Sequence, residues 1–317
     1  MAKAKISYPV TMPMRIQARK GSLAERQYYR KSALPGGAWP MPKAIAPGID
    51  PSPLDDLIYH GGKVIPQMEF QNIYLGSNAD WAQNDISSID AAIALAMRDK
   101  RLNNVMVQYF PGTTLTCDPR PSLLLNDPKP QQLDEPDVQA KIVALYDGNK
   151  IGKADLGTSV FNLVLPPGTV LKLGASSSLN GLGGYHGSVH IKCAGKSVAL
   201  YYSANVYSQM VSSSRENGIV TFDKPWKNVV GTLYHELNEF RTDADVNDAI
   251  DTNNNDFLGW MSRDGKECGD QPIFVARSLT LVFKEVRLTS STKKVPVQLM
   301  YSNAVHGAEG PIAAAHA

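Results

Sequence analysis

Residues 234–245 read Tyr234-His235-Glu236-Leu237-Asn238-Glu239-Phe240-Arg241-Thr242-Asp243-Ala244-Asp245. Apolar positions upstream continue at helical spacing, so Lys224–Phe240 is expected to be one helix with this stretch as its C-terminal half. On a helix, His235 and Glu239 are i and i+4 and share a face, with Glu236 beside them. The pattern is H-E-x-x-E. It differs from the zinc-binding H-E-x-x-H at one position, and a carboxylate there can still ligate zinc. In the metal reading His235 and Glu239 are ligands, and Glu236 is the general base on metal-bound water. Asp245, ten residues after His235, is the candidate third ligand, where metzincin-type motifs place theirs. Those motifs turn sharply at a Gly, and this chain has Thr242 there. His186, in Gly183-Gly184-Tyr185-His186-Gly187, is the alternative third ligand or a second catalytic group, and the segment reads as a glycine-rich turn. Met261 lies downstream, where a Met-turn would be.

The surrounding segment is strongly acidic. From Glu236 to Asp270 ten acids face Arg241, Arg263 and Lys266, a local balance of −7 in a chain of net charge +2. Carboxylates at that density repel one another unless a cation or water separates them. Zn2+ is the expected ion at the helix. Ca2+ is the alternative, wrapped by the oxygens of Asp243–Asp256, although that run lacks the EF-hand Gly and Glu.

Working outward, strands are expected at Glu69–Leu75, Asn104–Phe110, Ser159–Leu165, Ser197–Tyr202, Ile273–Val286 and Val295–Tyr301. Helices are expected at Asp85–Arg98 and Gln132–Tyr146. Helices and strands alternate early and strands dominate later. This predicts an α/β (or α+β) single domain with a mixed central sheet flanked by helices, spanning residues 59–305. Residues 1–58 form a proline-rich basic N-terminal arm, with nine basic residues against Glu25 up to Lys43. Prolines confine any helix there to about residues 22–32. The arm reads as an extended strap, or as a route to a homo-oligomer. Residues 306–317 read as a flexible C-terminal tail.

With 43% apolar and 20% charged residues the composition is that of a globular chain. No aromatic platform accompanies the basic arm, which argues against nucleic acid as a partner. There is no transmembrane run, no G-x-S-x-G elbow and no Walker loop. The N-terminus has no apolar h-region, so no signal peptide is expected. Cys117, Cys193 and Cys268 are too few and too scattered for a disulfide framework. Cys193 reads as packed, and carboxylates beside Cys268 disfavour its thiolate.

Several short blocks together resemble the phosphate-induced, EXORDIUM-like proteins. They are Tyr59-His60-Gly61-Gly62-Lys63-Val64, Gly184-Tyr185-His186-Gly187-Ser188, the helix motif through Asp243, then Gly259-Trp260, Gly265, Glu267, Gly269 and Asp270, and lastly Val297–Asn303. Ala244 stands where the bacterial branch has Pro. The resemblance implies a single α/β domain and a shared site built from His235, Glu236, Glu239, His186 and the G-x-E-x-G-D loop. It also implies a cell-wall or peptide context. Two functions follow as expectations: a zinc-dependent, peptidase-like hydrolase using Glu236, or a non-catalytic structural and assembly protein stabilised by the same cation.

Overall fold

The computed structural model describes residues 17–22, 45–151, 155–193, 195–289 and 292–316. Most of the basic arm, including the helix expected at about 22–32, lies outside the described residues.

A mixed seven-stranded sheet organises the chain. Its strands are β1 (Gln17–Ala18), β2 (Gln67–Tyr74), β3 (Thr116–Pro119), β4 (Leu123–Leu124), β5 (Ser159–Val164), β6 (Leu182–Cys193) and β7 (Lys196–Asn205). The order across the sheet is β1-β6-β7-β5-β2-β3, with β4 also pairing β2. β2, β3, β4, β5 and β7 run parallel where they pair; β6 is antiparallel to β7 and to β1. All six residues of β5 are buried, as expected for a strand covered on both faces.

Helices cover both faces. α1 (Asp85–Arg98) and α2 (Lys100–Met106) follow β2, α3 (Glu135–Asp147) precedes β5, and α4 (Pro225–Thr242) follows β7. Side chains alternate across a strand, so Tyr201 and Tyr202 point to opposite layers. Tyr201 stacks against Phe240 of α4, with ring centroids 5.1 Å apart. The Tyr202 hydroxyl accepts from Gln139 of α3 at 3.1 Å. The expected single α/β domain with a mixed central sheet is therefore observed, in three layers. No helix among the described residues is long and apolar enough to cross a membrane.

Local chemistry accounts for the helix bounds. α3 opens on a capping box between Asp134 and Asp137 with Pro136 in the first turn, and α4 begins at Pro225, where the missing N–H costs nothing. Three expectations are corrected. Asn104–Phe110 is helical, not a strand: Asp99 accepts from Arg101 N and Leu102 N, and Leu102, Val105, Met106 and Tyr109 form a buried face. Its β-branched and aromatic composition is overridden by that cap. The Ile273–Val286 strand begins only at β8 (Phe283–Arg287); Asp270–Val275 is a short helix whose Pro272 suits a first turn. The glycine-rich segment at 183–187 is the middle of a strand, β6, rather than a turn.

β8 pairs with β9 (Lys294–Gln298), and β10 (Met300–Ser302) pairs with β11 (Gly307–Glu309). Residues 307–309, assigned to the tail on sequence grounds, are thus a buried strand. Segment 45–57 docks on it through Ala46 N to Ala308 O at 2.8 Å and Ser52 N to His306 O at 2.6 Å.

Candidate metal centre

Helix α4 is buried from Asn228 to its end. It lies between β6 on one side and the loop 267–270 on the other. Two glycines permit these approaches. A Cβ on Gly184 would sit 2.8 Å from both Ala204 O and Thr232 Cγ2 and 3.0 Å from Glu236 Oε1. A Cβ on Gly269 would collide with the His235 imidazole. The helix therefore presents Glu236 to β6 and His235 to the 267–270 loop, with Glu239 one turn on.

Seven ionisable side chains meet here: His186, His235, Glu236, Glu239, Asp243, Glu267 and Asp270, none more than 1% exposed. His235 Nε2 is 2.9 Å from Glu239 Oε2 and 3.8 Å from Asp270 Oδ1. His186 Nδ1 is 3.5 Å from Glu236 Oε2 and 3.7 Å from Glu239 Oε2. His186 Nε2 is 3.7 Å from Glu267 Oε1. Glu239 Oε1 accepts from Gly269 N and Asp270 N, both at 3.2 Å. Among the described residues, the ion-pair partners of Glu236, Glu239 and Glu267 are histidines alone.

The imidazole tautomers follow from their outer partners. Gln298 donates from Nε2 to Gly269 O at 2.5 Å, which turns its Oε1 toward His235 Nδ1 at 2.8 Å. Gln17 Nε2 donates to the same oxygen at 3.2 Å. A flipped amide would set oxygen against oxygen, so His235 carries its proton on Nδ1. His186 Nε2 faces the Asp243 carbonyl at 3.2 Å and must donate to it. In the neutral form each remaining nitrogen, His235 Nε2 and His186 Nδ1, turns a lone pair toward Glu239 Oε2. Neither atom makes a well-formed hydrogen bond, nor do both oxygens of Glu236 and Glu267 or Asp243 Oδ2. Lone pairs converging on carboxylates repel unless a proton or a metal ion lies between them. This is also the arrangement of metal-binding histidines, whose second N–H is fixed by an outer acceptor.

Without an ion, protons carry that burden. Burial pushes Glu236 up to about 8, only partly offset by His186. Burial, reinforced by neighbouring carboxylates, holds Asp243, Glu267 and Asp270 well above the ordinary range. Burial opposes charging of His235, but Glu239, Asp270 and Gln298 outweigh it and the pKa ends raised.

His235, Glu236, Glu239 and His186 are thus brought together, as expected from the sequence. Two groups that could hold a metal ion are formed, His186–Glu236–Glu239 and His235–Glu239–Asp270. His186, expected as an alternative third ligand or as a catalytic group, stands within the same cluster as the helix residues. Asp245 is not brought in. Lacking a glycine, the chain stays helical through Thr242, whose Oγ1 bonds to Asn238 O at 3.0 Å. Asp245 is carried to the far side of the helix end, where its carboxylate accepts from Tyr201 Oη at 2.5 Å. Asp270 instead is the carboxylate that stands beside His235 and Glu239.

The Asp243–Asp256 run, the candidate Ca2+ segment, forms no metal-ligand group among the described residues. It folds as the helix α5 (Val246–Thr252) and a 3-10 turn. Asp248 pairs with His190 at 2.8 Å, and Asn254 caps Asp256 N. Met261 is buried against Val246, Ala249 and Leu258. Cys268 is buried, and burial and then Glu239 push its thiol well up, which disfavours the thiolate. Gln298 and Gln17 were not anticipated from sequence; a glutamine in an apolar strand, Val297-Gln298-Leu299, was the available signal.

The Tyr59–Val64 block buttresses the site from outside it. Gly62 lies against the Phe257 and Leu258 backbone with no room for a side chain, and Ile65 N donates to Arg241 O at 2.8 Å. Comparison with protein-family models, with curated proteins and with solved structures finds no match to this chain.

Proposed function

We propose that this chain is a metal-binding protein whose ion ties helix α4 to β6 and to the 267–270 loop. The observation that carries this reading is the pair of imidazole nitrogens, His186 Nδ1 and His235 Nε2, that face Glu239 Oε2 while both outer nitrogens are held by the Asp243 carbonyl and Gln298. Nitrogen and carboxylate donors without thiolate suit Zn2+ best among common ions, with Mn2+ and Fe2+ next. Complete burial of the ligands favours a stabilising role over an open catalytic one. Elemental analysis of purified protein tests it. Stoichiometric metal, and a melting temperature that drops on chelation, are expected; metal-free protein with unchanged melting would sink the reading.

A second reading, hydrolysis with Glu236 as general base, is favoured by one observation. Both Glu236 oxygens lack a well-formed hydrogen bond, and burial raises its pKa to about 8. Glu236→Gln would then abolish a detected peptidase-like activity while an ion held by His235, Glu239 and Asp270, the triad without Glu236, is retained. Membership of the EXORDIUM-like family is proposed with it. Three of the resembling blocks supply His186, His235–Glu239 and Glu267–Asp270 to this one centre, and a fourth supplies Gln298.

A further inference from the structure

The ligands form two rings rather than one. In each triad one atom per residue lies within 4.8 Å of the others, and no triad contains both imidazoles. Their origins explain this. His186 descends from β6, whereas His235 leaves α4 toward the 267–270 loop, on the opposite side of Glu239. Glu239 is the only member in common.

We propose that the centre holds two divalent cations, one in each triad, with Glu239 as the carboxylate between them. This inference rests on the metal-binding reading above. Three observations support the second ion. Each triad has its own imidazole with its own orienting acceptor, the Asp243 carbonyl for His186 and the Gln298 amide for His235. A single ion would satisfy one imidazole and leave the other's lone pair against Glu239. The charge also calls for two. Glu236, Glu239, Asp243, Glu267 and Asp270 carry five negative charges when ionised; one divalent ion leaves −3 and two leave −1. Finally, the described neighbourhood holds a surplus of donors: Glu236 and Glu267 each have two buried oxygens without hydrogen bonds, and Asp243 has one. Each position offers one nitrogen and two carboxylates, a donor set suited to Zn2+ or Mn2+.

The test uses full-length protein, stripped with chelator, reloaded and desalted. With Zn2+, two ions per chain are expected; Asp270→Asn and His186→Gln should each retain about one, and Glu239→Gln should lose both. With Mn2+, the wild-type protein should give the broadened, exchange-coupled signal of a paired centre in electron paramagnetic resonance. That measurement needs no variant and so survives any folding defect. One ion per chain with an isolated six-line Mn2+ signal would overturn the two-ion centre and leave the metal-binding reading intact. No bound metal would overturn both.

Discussion

His235 Nε2 lies 2.9 Å from Glu239 Oε2, one helical turn away, while its Nδ1 proton is already given to Gln298. That pairing fixes which nitrogen faces the carboxylates. It makes the imidazole a ligand in waiting and makes Gln298 the residue that orients it.

Gln298→Ala should therefore weaken metal binding without removing any ligand. Loss of an outer partner of a metal-binding histidine costs roughly 10–100-fold in affinity. Chelator competition reads this directly. Unchanged affinity in a folded variant would mean that His235 needs no such orientation.

Asp245 separates the sequence motif from the site. Asp245→Asn should leave metal content unchanged. Tyr201→Phe should destabilise the fold by about 0.5–1.5 kcal/mol, because the half-buried Asp245 carboxylate loses a donor at 2.5 Å. Denaturant titration and elemental analysis on the same two variants check both halves.

The ion-free protein should lose stability as pH rises. Glu236 binds its proton more tightly folded than unfolded, with its pKa moved from 4.5 to about 8. The folded state therefore holds more protons across that window. The stabilisation is full below about 4.5 and is lost as pH climbs through 8. The change is on the order of a few kcal/mol for Glu236 alone. Asp243, Glu267 and Asp270 shift in the same direction. Metal must displace these protons, so metal-loaded protein should show the opposite trend, with tighter binding at higher pH. Unfolding midpoints at several pH values, with and without chelator, decide the matter; a flat ion-free profile would refute it.

Gly184→Ala should damage the site from the strand side. The new methyl meets the Ala204 carbonyl and Thr232 Cγ2 at 2.8 Å, and backbone cannot step aside as a flexible side chain can. A cost of about 1–3 kcal/mol is expected, with metal affinity reduced because β6 carries His186. Gly195→Ala, in open space at the far hairpin end, is the control for position in the sheet, although its positive φ adds strain of its own.

Local rules made much of this legible. The 3.6-residue period set α1 and α4, the Asp134 cap and Pro136 set α3, and the i, i+4 spacing put His235 and Glu239 on one face. They failed where composition and capping disagreed, at Asn104–Phe110, and where spacing was borrowed from a motif whose turn glycine is absent, at Asp245. The sequence by itself thus determined a mixed α/β domain and a polar helix face of His235, Glu236 and Glu239. His186 was a candidate from the sequence, and the Glu267–Asp270 loop from the family resemblance; only the tertiary structure decided that β6 and that loop pack against the helix face, and that Gln298 of β9 orients His235. The reason is physical. Helix periodicity depends on neighbours within a turn, whereas the burial that strips water from seven ionisable groups arises only when distant segments pack together.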